Sequence, residues 1–439
     1  MDAVSGIALV GGRGVRARPL TLISPDCLRS KAAMSLAGRS LIEWAVQTLR
    51  CQGVDRFFVA ANGGQNRAQT KAILEHGERL GVEVRYSRTR FDRSNTGSGE
   101  ATLRCLEHWD LRGPALVFPS DSVFDFDLDA MVAAHRAADA VVTVASVLRP
   151  PVEAAGKYGV VQRGPDGLVR RFLEKPELST LGRCGSQVET NAGMYLVDCD
   201  RLRMAGREPA LAALALGSLD WGGDLLPYLA GHGHRVASFP IARFGDLGSP
   251  RDYLTTLREV LRDEYPLLSS RIDPPPSPFA GARIHRSSLQ LKDETTGRTL
   301  AEKIDEGTVR VGPGVRIGRD VEIGAGVVLA DSDIGDGVDI GPGSVLRGVA
   351  CGDHSIIGPG ARISDAFLGA MVDIGSTADR PVVLTDFCAL GDEVRIAAGT
   401  RLSGVRVHPQ LEVHSGVGIP PGADLSCLQD VLRGLGKAA

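Results

Sequence analysis

The chain has 439 residues, 43% of them apolar and 23% charged, with a formal net charge of −3. That length exceeds one ordinary domain, and the near-neutral charge balance excludes a general nucleic-acid binder. No apolar run reaches the roughly 20 residues needed to span a bilayer, and the first three residues lead straight into a strand pattern without a basic leader. These features predict a cytoplasmic protein that is not held in a membrane.

Residues 1–255 alternate β-rich runs with helical patterns. Strands are predicted at 6–10, 57–60, 82–86, 115–119, 140–147, 159–162, 193–197 and 236–240, and helices at 41–51, 65–80, 99–109 and 128–138. This alternation predicts an α/β domain with a doubly wound, Rossmann-like, mainly parallel sheet. Ligands of such sheets sit outside the carboxyl ends of the strands. An amphipathic helix at 249–264 opens with Ser249-Pro250. From 256 to 305 the chain reads as that helix plus a connector, stiffened by the prolines of 272–279.

Residues 306–439 change character. Apolar residues recur six apart at 311, 317, 323 and 329, slip by one to 334, 340 and 346, and slip again to 351, 357 and 363, then 368 and 374. After an interruption at 376–383 the series resumes at 384, 390, 396 and 402, then 407, 413 and 419. A fixed period of six, with glycine following most positions of the first series, is the hexapeptide signature of a parallel β-helix. Three sides make one triangular coil, so the pattern predicts about six coils, closed by a short C-terminal helix. Solenoids of this kind expose flat faces, which predicts a homo-oligomer built through the β-helix. The eight cysteines (27, 51, 105, 184, 199, 351, 388 and 427) show no Cys-x-x-Cys pair and no metal-ligand spacing, so they read as buried small residues in a reducing compartment.

Chemistry is concentrated first at residues 11–21, Gly-Gly-Arg-Gly-Val-Arg-Ala-Arg-Pro-Leu-Thr. Gly11, Gly12 and Gly14 leave backbone N–H groups open to a ligand, and Arg13, Arg16 and Arg18 add positive charge. A strand running into such a loop suits phosphate. Further on, Asp121 ends an apolar strand, a place suited to a hard cation such as Mg2+.

The order of these motifs resembles that of the sugar-1-phosphate nucleotidylyltransferases, whose opening signature is Gly-Gly-x-Gly-Thr-Arg-x-x-Pro-Leu-Thr. A left-handed β-helix tail accompanies that domain in the mannose-1-phosphate guanylyltransferase and glucose-1-phosphate adenylyltransferase members. The resemblance implies transfer of a nucleotidyl group from a nucleoside triphosphate to a sugar 1-phosphate, with release of pyrophosphate. It assigns Gly11, Gly12, Arg13 and Gly14 to nucleotide binding, together with Thr96, Gly97 and Gly99 of the Thr-Gly-Ser-Gly-Glu-Ala run. Arg16 and Lys31 stabilise the triphosphate, Lys31 taking the place of the basic residue of a Pro-Lys-Pro motif after a short insertion. Asp121 and Asp246, the latter in Gly-Asp-Leu-Gly-Ser-Pro, are the implied Mg2+ ligands. Tyr158, Gly159, Glu174, Lys175 and Asn191 fall in the sugar-phosphate motifs, with Lys175 aligning the nucleophile and Gly159 left bare for the approach of a sugar ring. Tyr195, beside them, reads as core packing.

The sequence departs from the family pattern at Val15, Asp26, Ala32, Glu100 and Ser120. Two alternatives therefore stay open. One is a non-catalytic paralogue that binds a nucleotide-sugar as a regulatory subunit. The other is a bifunctional enzyme with an acyltransferase site on the β-helix, for which His354, His408 and His414 are the candidate bases.

Overall fold

The computed structural model describes residues 3–89, 96–181, 185–293, 296–416 and 418–435. The described chain forms two compact units. The first comprises Met1–Gly12, Lys31–Ala33 and Leu41–Phe244, and the second Arg13–Ser30, Met34–Ser40 and Gly245–Ala439.

The first unit is built on a nine-stranded sheet: β1 (Ser5–Val10), β2 (Arg56–Ala61), β3 (Glu83–Tyr86), β4 (Pro114–Pro119), β5 (Val142–Arg149), β6 (Val160–Arg163), β7 (Val169–Leu173), β8 (Val188–Asp198) and β9 (Val236–Pro240). The main path runs β7-β6-β8-β4-β1-β2-β3, with β5 pairing β8 and β9. Over β4-β1-β2-β3 all ladders are parallel, in the register Gly6↔Phe57 and Gly6↔Leu116. The apolar run of β1 is buried on both faces, as a central parallel strand requires. Around β8 the sheet turns antiparallel, against β4, β5 and β6. The β6–β7 pair is antiparallel as well, and there connection length gives the reason. Only residues 164–168, Gly-Pro-Asp-Gly-Leu, join β6 to β7, which is too short for a parallel crossover.

The principal helices of this unit are α1 (Leu41–Arg50), α2 (Gly64–Leu74), α3 (Ser98–His108) and α4 (Leu128–Ala137). Each lies within a few residues of its predicted place. The predicted 65–80 helix stops at Leu74, and a separate 3₁₀ turn, Glu78–Leu80, begins after Gly77 at φ +97. There a Cβ would lie 2.4 Å from the Val82 carbonyl oxygen, so the chain turns where only glycine fits.

The β-helix dominates the second unit. Its three columns of inward residues are Ile317-Ile334-Cys351-Leu368-Leu390-Val407, Ile323-Ile340-Ile357-Ile374-Ile396-Val413 and Val311-Leu329-Leu346-Ile363-Leu384-Leu402. All but the half-buried Val311 are buried. The first column reaches further at both ends, to Ile284 and Leu425. Buried serines tie neighbouring coils. Ser344 donates to the Gly358 carbonyl at 3.0 Å and accepts from Ala361 N, and Ser355 does the same with Gly369 O and Val372 N. The coils stack closely enough that a Cβ on Gly341 would fall 2.6 Å from Pro359 N. Pro250–Leu261 is the predicted amphipathic helix, capped by Ser249, whose hydroxyl accepts from Asp252 N. It is fixed on the coils by Arg262, which forks onto Asp331 with both bonds at 2.8 Å.

The cysteine expectation needs correction. Cys105, Cys199, Cys351 and Cys388 are buried, but Cys51 and Cys427 are exposed, because each lies in a surface turn next to a helix end; Cys27 is half-buried. All seven of these thiols are free, and Cys184 lies outside the described residues.

Candidate active site

A cleft of about 380 Å³ opens at the carboxyl ends of β1, β2 and β4 in the first unit. Gly11 and Gly12 form one part of its wall, Gly12 at φ +85 with open space where a Cβ would be. Asn62 follows β2 and donates its N–H to Val10 O at 2.7 Å. Ser87, just past β3, is buried and accepts from Ala61 N and from Arg67.

The far wall is the start of α3. Thr96 and Gly97 line it, but the first backbone donors of the helix are already taken. Gly99 N and Glu100 N both donate to Leu219 O, and Ser98 N donates to the Asp220 carboxylate at 3.0 Å. Gly97, at φ +91, would place a Cβ 2.4 Å from Leu219 O, and Gly99 would place one at 2.9 Å. Close approach of the chain's own backbone accounts for both glycines. Glu100 points instead to Arg104, 2.7 Å away on the next turn.

Asp220 and Trp221 complete the wall and were not singled out in the sequence. Trp221 begins a π-helical turn, Trp221–Leu225, a feature often found at functional sites. Its ring stacks on Tyr195 at 4.1 Å and 17°, and its indole N–H donates to Thr102. Tyr195 is 4% exposed, as packing in the core predicts, and it also lines the cleft. Burial raises its phenol pKa well above the ordinary value.

The motif Asn191-Ala-Gly193 proves to be a bulge in β8. Val144 pairs with Tyr195 while Ser146 pairs with Asn191, so β8 carries two extra residues there, with Gly193 at φ +71. Bulges re-aim side chains beside active sites. Here Asn191 donates to the Tyr195 hydroxyl at 2.9 Å and accepts from Gly193 N at 2.8 Å, and its own N–H donates to Gly159 O. Gly159 is close to Phe172 and Glu174: a Cβ there would lie 2.4 Å from the Phe172 ring and 3.0 Å from a Glu174 oxygen. The protein's own Phe172 ring already requires a residue without a side chain at Gly159. Glu174 is also wedged against Gly222. Lys175 stands beside it, Nζ to Oε1 at 3.2 Å, in the left-handed region at φ +43. A non-glycine residue held there marks a constrained position. Tyr158 has two cations over its ring, Arg149 at 4.7 Å and Lys157 at 5.1 Å.

Two residues beyond Pro119 of the cleft wall, Asp121 accepts a 2.7 Å hydrogen bond from Lys31 Nζ. Both side chains are largely sheltered, at 27% and 18% exposed. Sequence reasoning assigned them separate roles; the fold places them on each other.

Arg13, Gly14, Arg16 and Asp246 belong to the second unit. Gly14, at φ +59, is closed over Thr21, whose hydroxyl donates to Gly14 O at 2.8 Å. Val15–Ala17 forms a 3₁₀ turn that leaves Val15 58% exposed and Arg16 in solvent. Asp246 ends the strand Arg243–Asp246. The three tail histidines occupy unrelated settings. His354 is at a corner with φ +56, His408 is buried 3.1 Å from Asp424, and His414 is exposed near Glu412.

Comparison with known proteins places these features among relatives. The profile of the nucleotidyl transferase family matches residues 5–263, and that of the GMPPB C-terminal domain matches 301–419. The probable mannose-1-phosphate guanylyltransferase 2 of Arabidopsis thaliana is 30% identical over 263 residues, which cover 59% of this chain and 65% of that one. The mannose-1-phosphate guanylyltransferase catalytic subunit beta of Danio rerio is 27% identical over 253 residues, covering 57% and 63%. The chain thus aligns with just under two thirds of the length of each of these relatives. Among solved structures, HddC from Yersinia pseudotuberculosis complexed with GMP-PN matches at a TM-score of 0.45 and 17% identity, over 58% of this chain and 99% of that one.

Proposed function

The chain belongs to the nucleotidyl transferase family, and from that premise we propose that it transfers a nucleotidyl group from a nucleoside triphosphate to a sugar 1-phosphate. The names of the relatives make guanosine triphosphate and mannose 1-phosphate the first pair to test. The observation that carries the reading is the Lys31–Asp121 pair beyond a cleft floored by Gly11 and Gly12 at the strand ends.

In the proposed reaction the sugar phosphate oxygen attacks the α-phosphorus in line, and pyrophosphate leaves with the electrons of the broken P–O bond. Such chemistry asks a protein mainly for positioning and charge neutralisation. Gly11 and Gly12 offer backbone donors to phosphate. Arg13, Arg16 and Lys31 neutralise the triphosphate, and Thr96 and Gly97 form the wall against the nucleoside, with Gly99 behind them against Leu219. Lys175 draws in the sugar phosphate; Tyr158, Gly159, Glu174 and Asn191 shape the sugar side.

Among the described residues, no three acidic, histidine or cysteine side chains stand together as a metal cage. Asp121, two residues past β4, is a carboxylate of the kind Mg2+ takes, the ion completing its shell with phosphate oxygens and water. Asp121 would hold it, with Asp246 as the second carboxylate expected from the motif order, and the ion would supply charge neutralisation on the triphosphate.

The test is pyrophosphate release from four nucleoside triphosphates against a panel of sugar 1-phosphates. Release with one pair supports the reading. Tight nucleotide-sugar binding without release under any pair supports the regulatory paralogue instead. Acetyl transfer from acetyl-CoA to an amino-sugar phosphate would support the bifunctional alternative. The reading includes a homo-oligomer formed through the β-helix, measurable by light scattering, and a cytoplasmic location. Among the described residues no helix is long and apolar enough to cross a membrane.

A further inference from the structure

The corners of the β-helix carry a ladder of aspartates. Asp336 accepts from Arg319 N at 2.8 Å, Asp353 from Asp336 N at 2.9 Å, and Asp392 from Ala370 N at 3.1 Å. In each case the aspartate ties its own coil to the one before. Asp336 and Asp353 stay open to solvent on their remaining side. Asp392 differs, being 5% exposed, because its second oxygen accepts from Arg29 Nη2. Arg29 comes from the short insertion ahead of Lys31, in the Arg13–Ser30 segment that belongs to this same unit.

From Arg29 the connection continues into the glycine loop. Arg29 Nη1 donates to Leu20 O at 3.1 Å and Arg29 N to Thr21 O at 2.9 Å. Thr21, fully buried, donates to Gly14 O at 2.8 Å, and Gly14 opens the 3₁₀ turn that carries Arg16. A partly buried, charge-assisted bond on a β-helix corner is thus three links from the loop assigned to the triphosphate. A hydrogen bond between ionised groups is stronger and more directional than a neutral one.

We propose that Asp392 and Arg29 are positioning residues: the β-helix corner fixes the residue 14–20 loop through them, and so sets how the nucleotide is held. The assignment of that loop to the nucleotide rests on the function proposed above. Coupling of this kind is reciprocal, so nucleotide on the loop also steadies the corner.

The test is amide hydrogen exchange on the full-length protein together with steady-state kinetics. Asp392→Asn keeps the acceptor for Ala370 N and removes the charge facing Arg29. The expected result is exchange at Ala17, Leu20 and Leu22 about tenfold faster, with Ile356 and Asp373 in the coils unchanged. KM for the nucleotide rises about tenfold, KM for the sugar phosphate stays put, and Arg29→Lys loses less than Arg29→Ala. Unchanged loop exchange in Asp392→Asn overturns the proposal, as does faster loop exchange with an unchanged nucleotide KM. Should Asp392→Asn also loosen Ile356 and Asp373, Arg29→Ala, on the loop side, decides by the same two readouts. A wild-type protein that transfers no nucleotidyl group overturns the function reading alone, since the exchange result needs no turnover; nucleotide affinity by calorimetry then replaces KM.

Discussion

Lys31 and Asp121 form an ion pair at 2.7 Å, and that has a measurable consequence. Two unit charges in contact at a partly sheltered site attract by about 1–4 kcal/mol. On the function proposed above, a divalent cation held by Asp121 would compete with the ammonium. Lys31→Met should therefore bind Mn2+ about tenfold more tightly without nucleotide, while its turnover falls on the order of 10²-fold or more. Asp121→Asn should lose both metal affinity and turnover. An unchanged Mn2+ affinity in Lys31→Met, read by electron paramagnetic resonance, would contradict the competition. A second titrating residue lies away from this chemistry. His135 in α4 is buried against Thr143, Nδ1 to Oγ1 at 2.8 Å. Burial lowers its pKa, with Arg201 and Arg136 pushing the same way and Asp198 and Asp139 opposing. The unfolded chain then binds a proton near pH 6.5 that the folded chain refuses. Stability therefore rises with pH through that window and is lost as pH falls below it. Thermal melts from pH 7.5 to 5.5 should show this loss, and His135→Gln should flatten it. Lys31 and Asp121 stand out in the sequence as motif members, as do Gly11, Gly12, Thr96 and Gly97 of the cleft. The pairing of Lys31 with Asp121 was not legible, because the two are 90 positions apart. Nor was the reason for Gly159, since a missing side chain does not say which neighbour demands its absence.

The elements show the same division. The start of α3 could be located from Gly97 and Ser98, yet its cap comes from Leu219 and Asp220, more than 120 residues on. No local signal announces such a partner. Gly97→Ala would put a methyl into the Leu219 carbonyl at a backbone angle that alanine resists. A loss of about 1–3 kcal/mol is expected, with faster exchange at the Gly99 and Glu100 amides. Wild-type stability in that variant would show that Leu219 can move aside at no cost. The β-helix was the most legible element, because its period repeats over every coil and each inward residue is bound to the same environment. The parallel half of the upstream sheet was nearly as clear from its buried apolar strands. The antiparallel half was not: its strands carry similar residues, and only the brevity of 164–168 distinguishes a hairpin from a crossover.

At the scale of the molecule, the chain passes between its two units five times before residue 245 is behind it. Sequence reading follows the chain and so divides it at points along its length, whereas these units share its N-terminal 40 residues between them. Ending the chain at residue 305 would remove the coils that complete the second unit. Such a truncation should lose nucleotide binding as well as self-association, with pyrophosphate release down on the order of 10²-fold or more. A truncated protein of full activity that scatters light as a monomer would separate the loop from the coils and leave the tail a role in assembly alone.

Synthesis gives the Arg29–Asp392 bond a further meaning. The two residues are 363 positions apart, and at about 5–20 residues per second the ribosome needs about 20–70 s to travel from one to the other. Throughout that interval the glycine loop has been made and its seat has not. A loop made before its seat is thus among the last parts of the chain to take its final form, and a nascent chain stalled before Asp392 carries that loop without its tie to the β-helix corner.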